Sequence, residues 1–124
     1  MKAEFLKKAL DNLSVARYCF EHGYYDAVAN RAYCAAFQAA VAALAHIGVI
    51  TEKREHKWVQ ASFSRELIRR RKVYPGAVAS FLSDMLNVRN LADYSENSIS
   101  VKIASRQLAR AEELIKLIHA EVKL

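Results

Sequence analysis

Apolar residues recur along the chain at the spacing of helices that share a core. From Ala3 to Phe20 they fall at Leu6, Leu10, Leu13, Ala16 and Phe20, with Lys7, Lys8, Asp11 and Arg17 on other faces, which predicts a first amphipathic helix. Gly23 is placed to end it, and His22 stands in the last turn, where a cation suits the helix dipole. A second helix is expected from about Tyr24 to about Ile47, lined by Ala29, Tyr33, Ala36, Phe37, Ala40 and Leu44 and stopped by Gly48. Its many alanines let neighbouring helices approach closely, so it reads as a central helix packed on more than one side.

Thr51 to Lys57 is polar and reads as a loop. It leads into a third helix from Trp58 to about Lys72, whose apolar stripe of Val59, Phe63, Leu67 and Ile68 is narrow enough to predict a largely exposed helix. Tyr74-Pro75-Gly76 is the clearest breaker, with Pro75 suited to open a fourth helix along Val78, Phe81, Leu82, Met85 and Val88. After the polar stretch Asp93 to Ser100, Ser98 or Ser100 can cap a fifth helix through Ala104, Leu108, Ala111, Ile115, Ile118 and Val122. The expected fold is all-α, an up-and-down bundle of about five helices with antiparallel neighbours, and residues 1–124 read as a single domain.

Composition narrows this further. Three glycines and one proline are too few for the turns of a sandwich or barrel, and 53% hydrophobic residues exclude a disordered chain. The longest weakly charged stretch, Ala32 to Ile50, is alanine-rich and interrupted by Gln38 and His46, so it reads as a core helix and no membrane association is expected. The amphipathic start carries no signal-like apolar segment, and Cys19 and Cys34 lie within helical patterns; a cytoplasmic location with reduced thiols is expected. Phosphate-loop, dinucleotide, zinc-protease and thiol-redox motifs are missing. The histidines at 22, 46, 56 and 119 are scattered, so neither a metal site nor a cofactor is expected.

Charge is unevenly spread. Between Glu52 and Lys72, eight Lys or Arg face three acids, a net +5 out of the chain's +6. The run Arg69-Arg70-Arg71-Lys72 has two readings: a solvated helix end whose cations meet the terminal carbonyls, or a patch for nucleic-acid phosphate, with Tyr74 as a stacking ring. Trp58 and Phe63 read rather as core anchors. At the predicted end of the fourth helix stands Arg89-Asn90-Leu91-Ala92-Asp93-Tyr94. Arg89 can pair with Asp93 in a purely architectural role, or meet a phosphate with the Tyr94 hydroxyl nearby. In the second helix, Tyr33 and Phe37 are one turn apart on an apolar face, and Arg31 can meet an acid such as Asp93 or Asp26.

These segments together resemble the HEPN superfamily, named for higher-eukaryote and prokaryote nucleotide-binding proteins. Asn30-Arg31-Ala32-Tyr33, followed by Phe37 and Ala39-Ala40, is similar to the NRAYYAxFxAA helix of one prokaryotic subgroup. His56 stands where that subgroup often has a histidine, and Arg89 to Tyr94 is similar to its RxxADY signature. The resemblance covers nearly the whole chain. It implies a homodimer in which the ends of the fourth helices face each other across a basic cleft. In ribonuclease members that cleft carries an arginine followed a few residues later by a histidine, and cuts RNA without metal. Arg89 falls on that arginine, but Tyr94 stands where the histidine belongs, and no histidine occurs between His56 and His119. Tyrosine, with a reference pKa of about 10, is a poor replacement in proton transfer. His56 supplies an imidazole only if the chain before the third helix folds toward the cleft.

Three readings result. The first is a homodimeric, non-enzymatic or weakly active HEPN module of a toxin-antitoxin-like system, paired through the second helix and the end of the fourth. It binds a nucleotide, RNA or a minimal nucleotidyltransferase partner through Arg31, His56, Lys57, Arg69, Arg70, Arg71 and Lys72, together with Arg89, Asp93 and Tyr94; Asn30, Tyr33 and Phe37 form its structural motif. The second is a metal-independent toxin endoribonuclease with Arg89, Asp93 and Tyr94 as catalytic residues, assisted by Tyr94 or His56 in proton transfer. The third is a structural helical adaptor.

Overall fold

The structure, a computed structural model, describes residues 1–50 and 55–122. Five α-helices follow one another: α1 (Lys2–Glu21), α2 (Tyr25–His46), α3 (His56–Phe63), α4 (Phe81–Tyr94) and α5 (Val101–Val122). A π-helical segment (Ser64–Arg70) continues α3, and a 3-10 turn (Gly76–Val78) precedes α4. The all-α bundle expected from the hydrophobic pattern is the fold observed.

Helix α2 is the axis of the bundle, in contact with α1, α5, α4 and α3, while α1 also packs on α5. Ala32, Ala35, Ala36, Ala39, Ala40, Ala42 and Ala43 are all at most 1% exposed. A helix surrounded in this way carries apolar positions around its whole circumference, and methyl side chains keep four neighbours within van der Waals reach. Larger residues come from the partners: Leu6 and Leu13 of α1, Val59 and Phe63 of α3, Leu82 and Met85 of α4, and Leu114, Ile115 and Ile118 of α5. The alanine face is therefore consumed inside the chain and is not a surface for a second copy.

Gly23 and Gly48 end α1 and α2 as expected, at φ of 79° and 83°. Each closes a Schellman motif. Tyr24 N–H bonds to Cys19 C=O (2.8 Å) and Gly23 N–H to Phe20 C=O (3.2 Å), and the same pattern joins Val49 to Leu44 and Gly48 to Ala45. Ser100, one of the two expected caps, accepts the Ile103 N–H at 3.1 Å and starts α5.

Three boundaries differ from the sequence expectation. Helix α3 begins at His56, so His56 and Lys57 are helical; Glu55 precedes it in extended conformation, and residues 51–54, the start of the expected loop and part of the basic segment, lie outside the described residues. The third helix does not stay α-helical to Lys72: it widens at Ser64, where Arg71 N–H bonds five residues back to Glu66 C=O (3.1 Å). It ends at Lys72, a non-glycine at φ 51°, beyond which the Val73 and Tyr74 N–H groups both bond to Leu67 C=O. Pro75 opens the 3-10 turn, and α4 starts only at Phe81. Tyr74 is buried and stacked on Phe63, with ring centroids 5.5 Å apart and planes 11° from parallel, so it is core and not a platform for a base. The narrow stripe Val59, Phe63, Leu67 and Ile68 is buried as expected.

Enlarging one buried alanine of α2 tests the central packing. Ala40→Leu should destabilise the chain by about 1–3 kcal/mol through overpacking, seen as a lower urea midpoint at unchanged slope. An unchanged midpoint would mean that α2 is not close-packed at that level.

Candidate functional site

The last turn of α4 holds the chemistry. Arg89 and Asp93 are one helical turn apart, and Arg89 Nε donates to Asp93 Oδ2 at 3.0 Å. The same oxygen accepts from Asn30 Nδ2 of α2 at 3.0 Å. Asn30 Oδ1 in turn faces Cys34 Sγ at 3.9 Å, which fixes the amide with its nitrogen toward Asp93. The ion pair is a quarter exposed on both sides, so its contribution to stability is small; what it does is aim the guanidinium. Arg89 Nη1 also donates to Asn90 Oδ1 at 3.2 Å, and the guanidinium carbon lies 5.8 Å from the centre of the Tyr94 ring. Tyr94 is 76% exposed.

Helix α2 brings two further residues to this side. Tyr33, one turn after Asn30, is buried, and its hydroxyl lies 2.6 Å from His56 Nδ1. The His56 ring packs on Tyr33 (centroids 5.4 Å apart) and edge-on to Phe37 (5.0 Å). Burial pushes the Tyr33 hydroxyl up to about 12, while the Gln60 side chain and the Arg89 charge act in the opposite sense without cancelling the effect. Tyr33 thus ties His56 of α3 to α2, one turn from the Asn30 that holds Asp93. Burial likewise pushes Tyr74 up to about 12, with the Glu121 charge adding to the effect.

Of the residues singled out from sequence, the structure brings together Arg89, Asp93, Tyr94, Asn30, Tyr33, Phe37 and His56. Lys57 is exposed beside His56 at the start of α3. Arg31 does not join them and pairs with neither Asp93 nor Asp26. Its Nη1 donates to Asn12 Oδ1 of α1 at 3.4 Å; Asn30 holds Asp93, and Asp26 accepts the Ile99 N–H at 2.9 Å. One residue of helix turns a side chain by about 100°, which is why Asn30 and its neighbour Arg31 serve different partners. Arg69, Arg70, Arg71 and Lys72 are exposed at the other end of the helical run that His56 begins, where Arg70 pairs with Glu66 at 3.2 Å. Arg69 and Lys72 border an open concavity of about 630 Å³ with Val73, Pro75 and Gly76.

Two features went unread in the sequence. Gln60, one turn after His56, carries a buried amide nitrogen with no hydrogen-bond partner among the described residues; the one-turn spacing is visible once α3 is started at His56. An open concavity of about 680 Å³ runs along α4 beside Arg89, lined by Asn87, Asn90, Leu91, Tyr94 and Ser95, with Leu91 60% exposed. Among the described residues no group of three or more His, Cys, Asp or Glu is arranged to hold a metal ion, and no helix is long and apolar enough to cross a membrane.

An all-α bundle whose fourth helix ends in an arginine–aspartate pair braced from the central helix is the class of protein this fold and site define. The sequence model of the HEPN domain matches residues 3–122, and the chain belongs to the HEPN family. The crystal structure of an archaeal HEPN homologue has the same fold, with a TM-score of 0.75 over 99% of this chain and 98% of that one at 18% identity. No curated protein matches the sequence.

The two buried tyrosines set a pH dependence. Their folded values lie above the unfolded value of about 10, so they stabilise the fold fully below about pH 10, and that stability is lost as pH rises through about 12. Urea midpoints should fall across this window, and Tyr74→Phe should make the fall shallower. An identical fall in Tyr74→Phe would remove Tyr74 burial as a cause.

Proposed function

We propose that this HEPN domain is a homodimeric module that binds a phosphate-bearing ligand, RNA or a nucleotide, at the end of α4, in a toxin-antitoxin-like system with a minimal nucleotidyltransferase as partner. The observation that carries this is the bracing of Arg89. Its Nε is held by Asp93, and Asp93 by Asn30, so the guanidinium is fixed in direction, while Nη2, without a hydrogen-bond partner among the described residues, keeps its donors for a ligand. A pre-aimed planar fork of this kind suits phosphate oxygens. Tyr94 beside it offers an exposed ring for a base, and Lys57 and the Arg69 to Lys72 run add positive potential along the α3 side. The concavity with Leu91 and Tyr94 on α4 is the face offered to a second copy, consistent with the dimer the family resemblance implies.

A second reading, metal-independent RNA cleavage, is favoured by one observation: His56 lies on the Tyr33 hydroxyl, on the side of the bundle that feels the Arg89 charge. An imidazole from α3 then stands in for the histidine missing from α4, and can move protons near neutral pH while Arg89 stabilises phosphate charge.

Binding of labelled single-stranded RNA or a mononucleotide at low salt, read by anisotropy, separates the readings. Wild type should bind with an affinity that falls linearly in log salt. Arg89→Ala should weaken it by at least about tenfold and reduce the salt slope by about 0.7 for a strand. Loss of RNA integrity in EDTA, absent in both Arg89→Ala and His56→Ala, would establish the cleavage reading. No binding at low salt would leave the chain a structural adaptor. Sedimentation of wild type against Leu91→Glu checks the dimer, which should dissociate in the variant.

A further inference from the structure

The short contact between Tyr33 and His56 fixes more than the position of a ring. A buried hydroxyl must place its proton on an acceptor. Among the described residues, the hydrogen-bond partner of Tyr33 Oη is His56 Nδ1, at 2.6 Å. Gln60, one turn after His56, offers no competing contact: its Nε2 is buried and has no hydrogen-bond partner among the described residues. With this contact the one that receives the hydroxyl among the described residues, its proton is left for His56 Nδ1. Burial keeps Tyr33 protonated through the neutral range. A neutral imidazole that accepts at Nδ1 carries its own proton at Nε2. His56 is exposed, and Nε2 has no hydrogen-bond partner among the described residues.

We propose that Tyr33 is a positioning residue that sets the tautomer of His56, so that Nε2–H and the Arg89 guanidinium are two donors, from α3 and α4, to one phosphate-bearing ligand. This rests on the phosphate-binding reading of Arg89 and adds to it a role for the motif tyrosine of α2. In the neutral state His56 is then a donor at its free nitrogen and not a base. Packing supports the arrangement: the rings of Tyr33 and Phe37 hold the imidazole on two sides, so loss of the hydroxyl alone leaves the ring seated but its tautomer unassigned.

Nitrogen NMR of the labelled full chain, above the titration of its histidines, tests the tautomer directly. His56 should be protonated at Nε2 in wild type and a mixture of tautomers in Tyr33→Phe, a variant that keeps the ring and whose thermal unfolding reports whether the core is intact. The binding arm uses adenosine monophosphate and a short single-stranded RNA, which distinguishes a free nucleotide from a strand. Both His56→Ala and Tyr33→Phe should weaken binding of the preferred probe, by about tenfold for the alanine variant. His56→Gln, whose amide nitrogen falls near the position of Nε2, should recover most of the loss, and His56→Asn should not. An Nδ1-protonated His56 in wild type overturns the proposal. So does binding that depends on Arg89 but is indifferent to His56 and Tyr33, an outcome that leaves the phosphate-binding reading standing. If wild type binds neither probe at low salt, both fall together. If Tyr33→Phe unfolds the chain, the wild-type tautomer and the contrast between His56→Gln and His56→Asn decide the matter without it.

Discussion

The burial of α2 on every side is the constraint on which the rest of the molecule depends. A helix in contact with four others cannot carry large side chains all round, so its circumference is mostly alanine, and the bulk of the core is supplied by leucine, isoleucine and aromatic residues on the partners. The consequence is that the few polar or large residues on α2 stand where neighbouring helices part. Asn30 looks toward the end of α4, Tyr33 and Phe37 toward the start of α3, and Arg31 toward α1. The site is assembled at these partings from residues that the central helix holds rigidly.

That rigidity is what separates a pre-aimed guanidinium from an ordinary surface arginine. A lone i,i+4 pair in partial exposure contributes little to stability. Here Asp93 is held a second time, from a different helix, by an amide whose own orientation is set within α2. The loss of side-chain freedom that a ligand would otherwise impose on Arg89 is met during folding, which is the general advantage of a preorganised site. Among the described residues, the exposed charge of Arg69 to Lys72 has no such bracing beyond Glu66, and acts through long-range potential and not through geometry.

How much could be read from the chain differed by element, for identifiable reasons. The ends of α1 and α2 were legible because each needs a residue at positive φ and a glycine stands there. The end of the third helical run was not, because Lys72 takes the left-handed conformation without glycine, held by the two hydrogen bonds that converge on Leu67; the visible breaker, Pro75-Gly76, comes later. The start of α3 was misplaced because no side-chain cap marks it. This hid the one-turn relation of His56 to Gln60 and left the approach of His56 to Tyr33 undecided. Within the site, the Arg89–Asp93 pair is legible from spacing along one helix, whereas Asp93 is held by Asn30, for which the sequence suggests no partner, and Arg31, expected to meet an acid, turns to Asn12.

The sequence by itself determined the helical class, the number of helices, the central place of the alanine-rich helix, the family and the local pair at the end of α4. All of these follow from periodicity, from glycine positions or from motifs within a single element. Only the tertiary structure decided that Asn30 and not Arg31 braces Asp93, that Tyr74 is core, and that His56 from α3 meets Tyr33 near Arg89. These contacts join residues from different elements, up to 63 positions apart along the chain, and they depend on how each helix is rotated against its neighbours. That rotation is set by the packing of large side chains against small ones, which no single stretch of sequence contains.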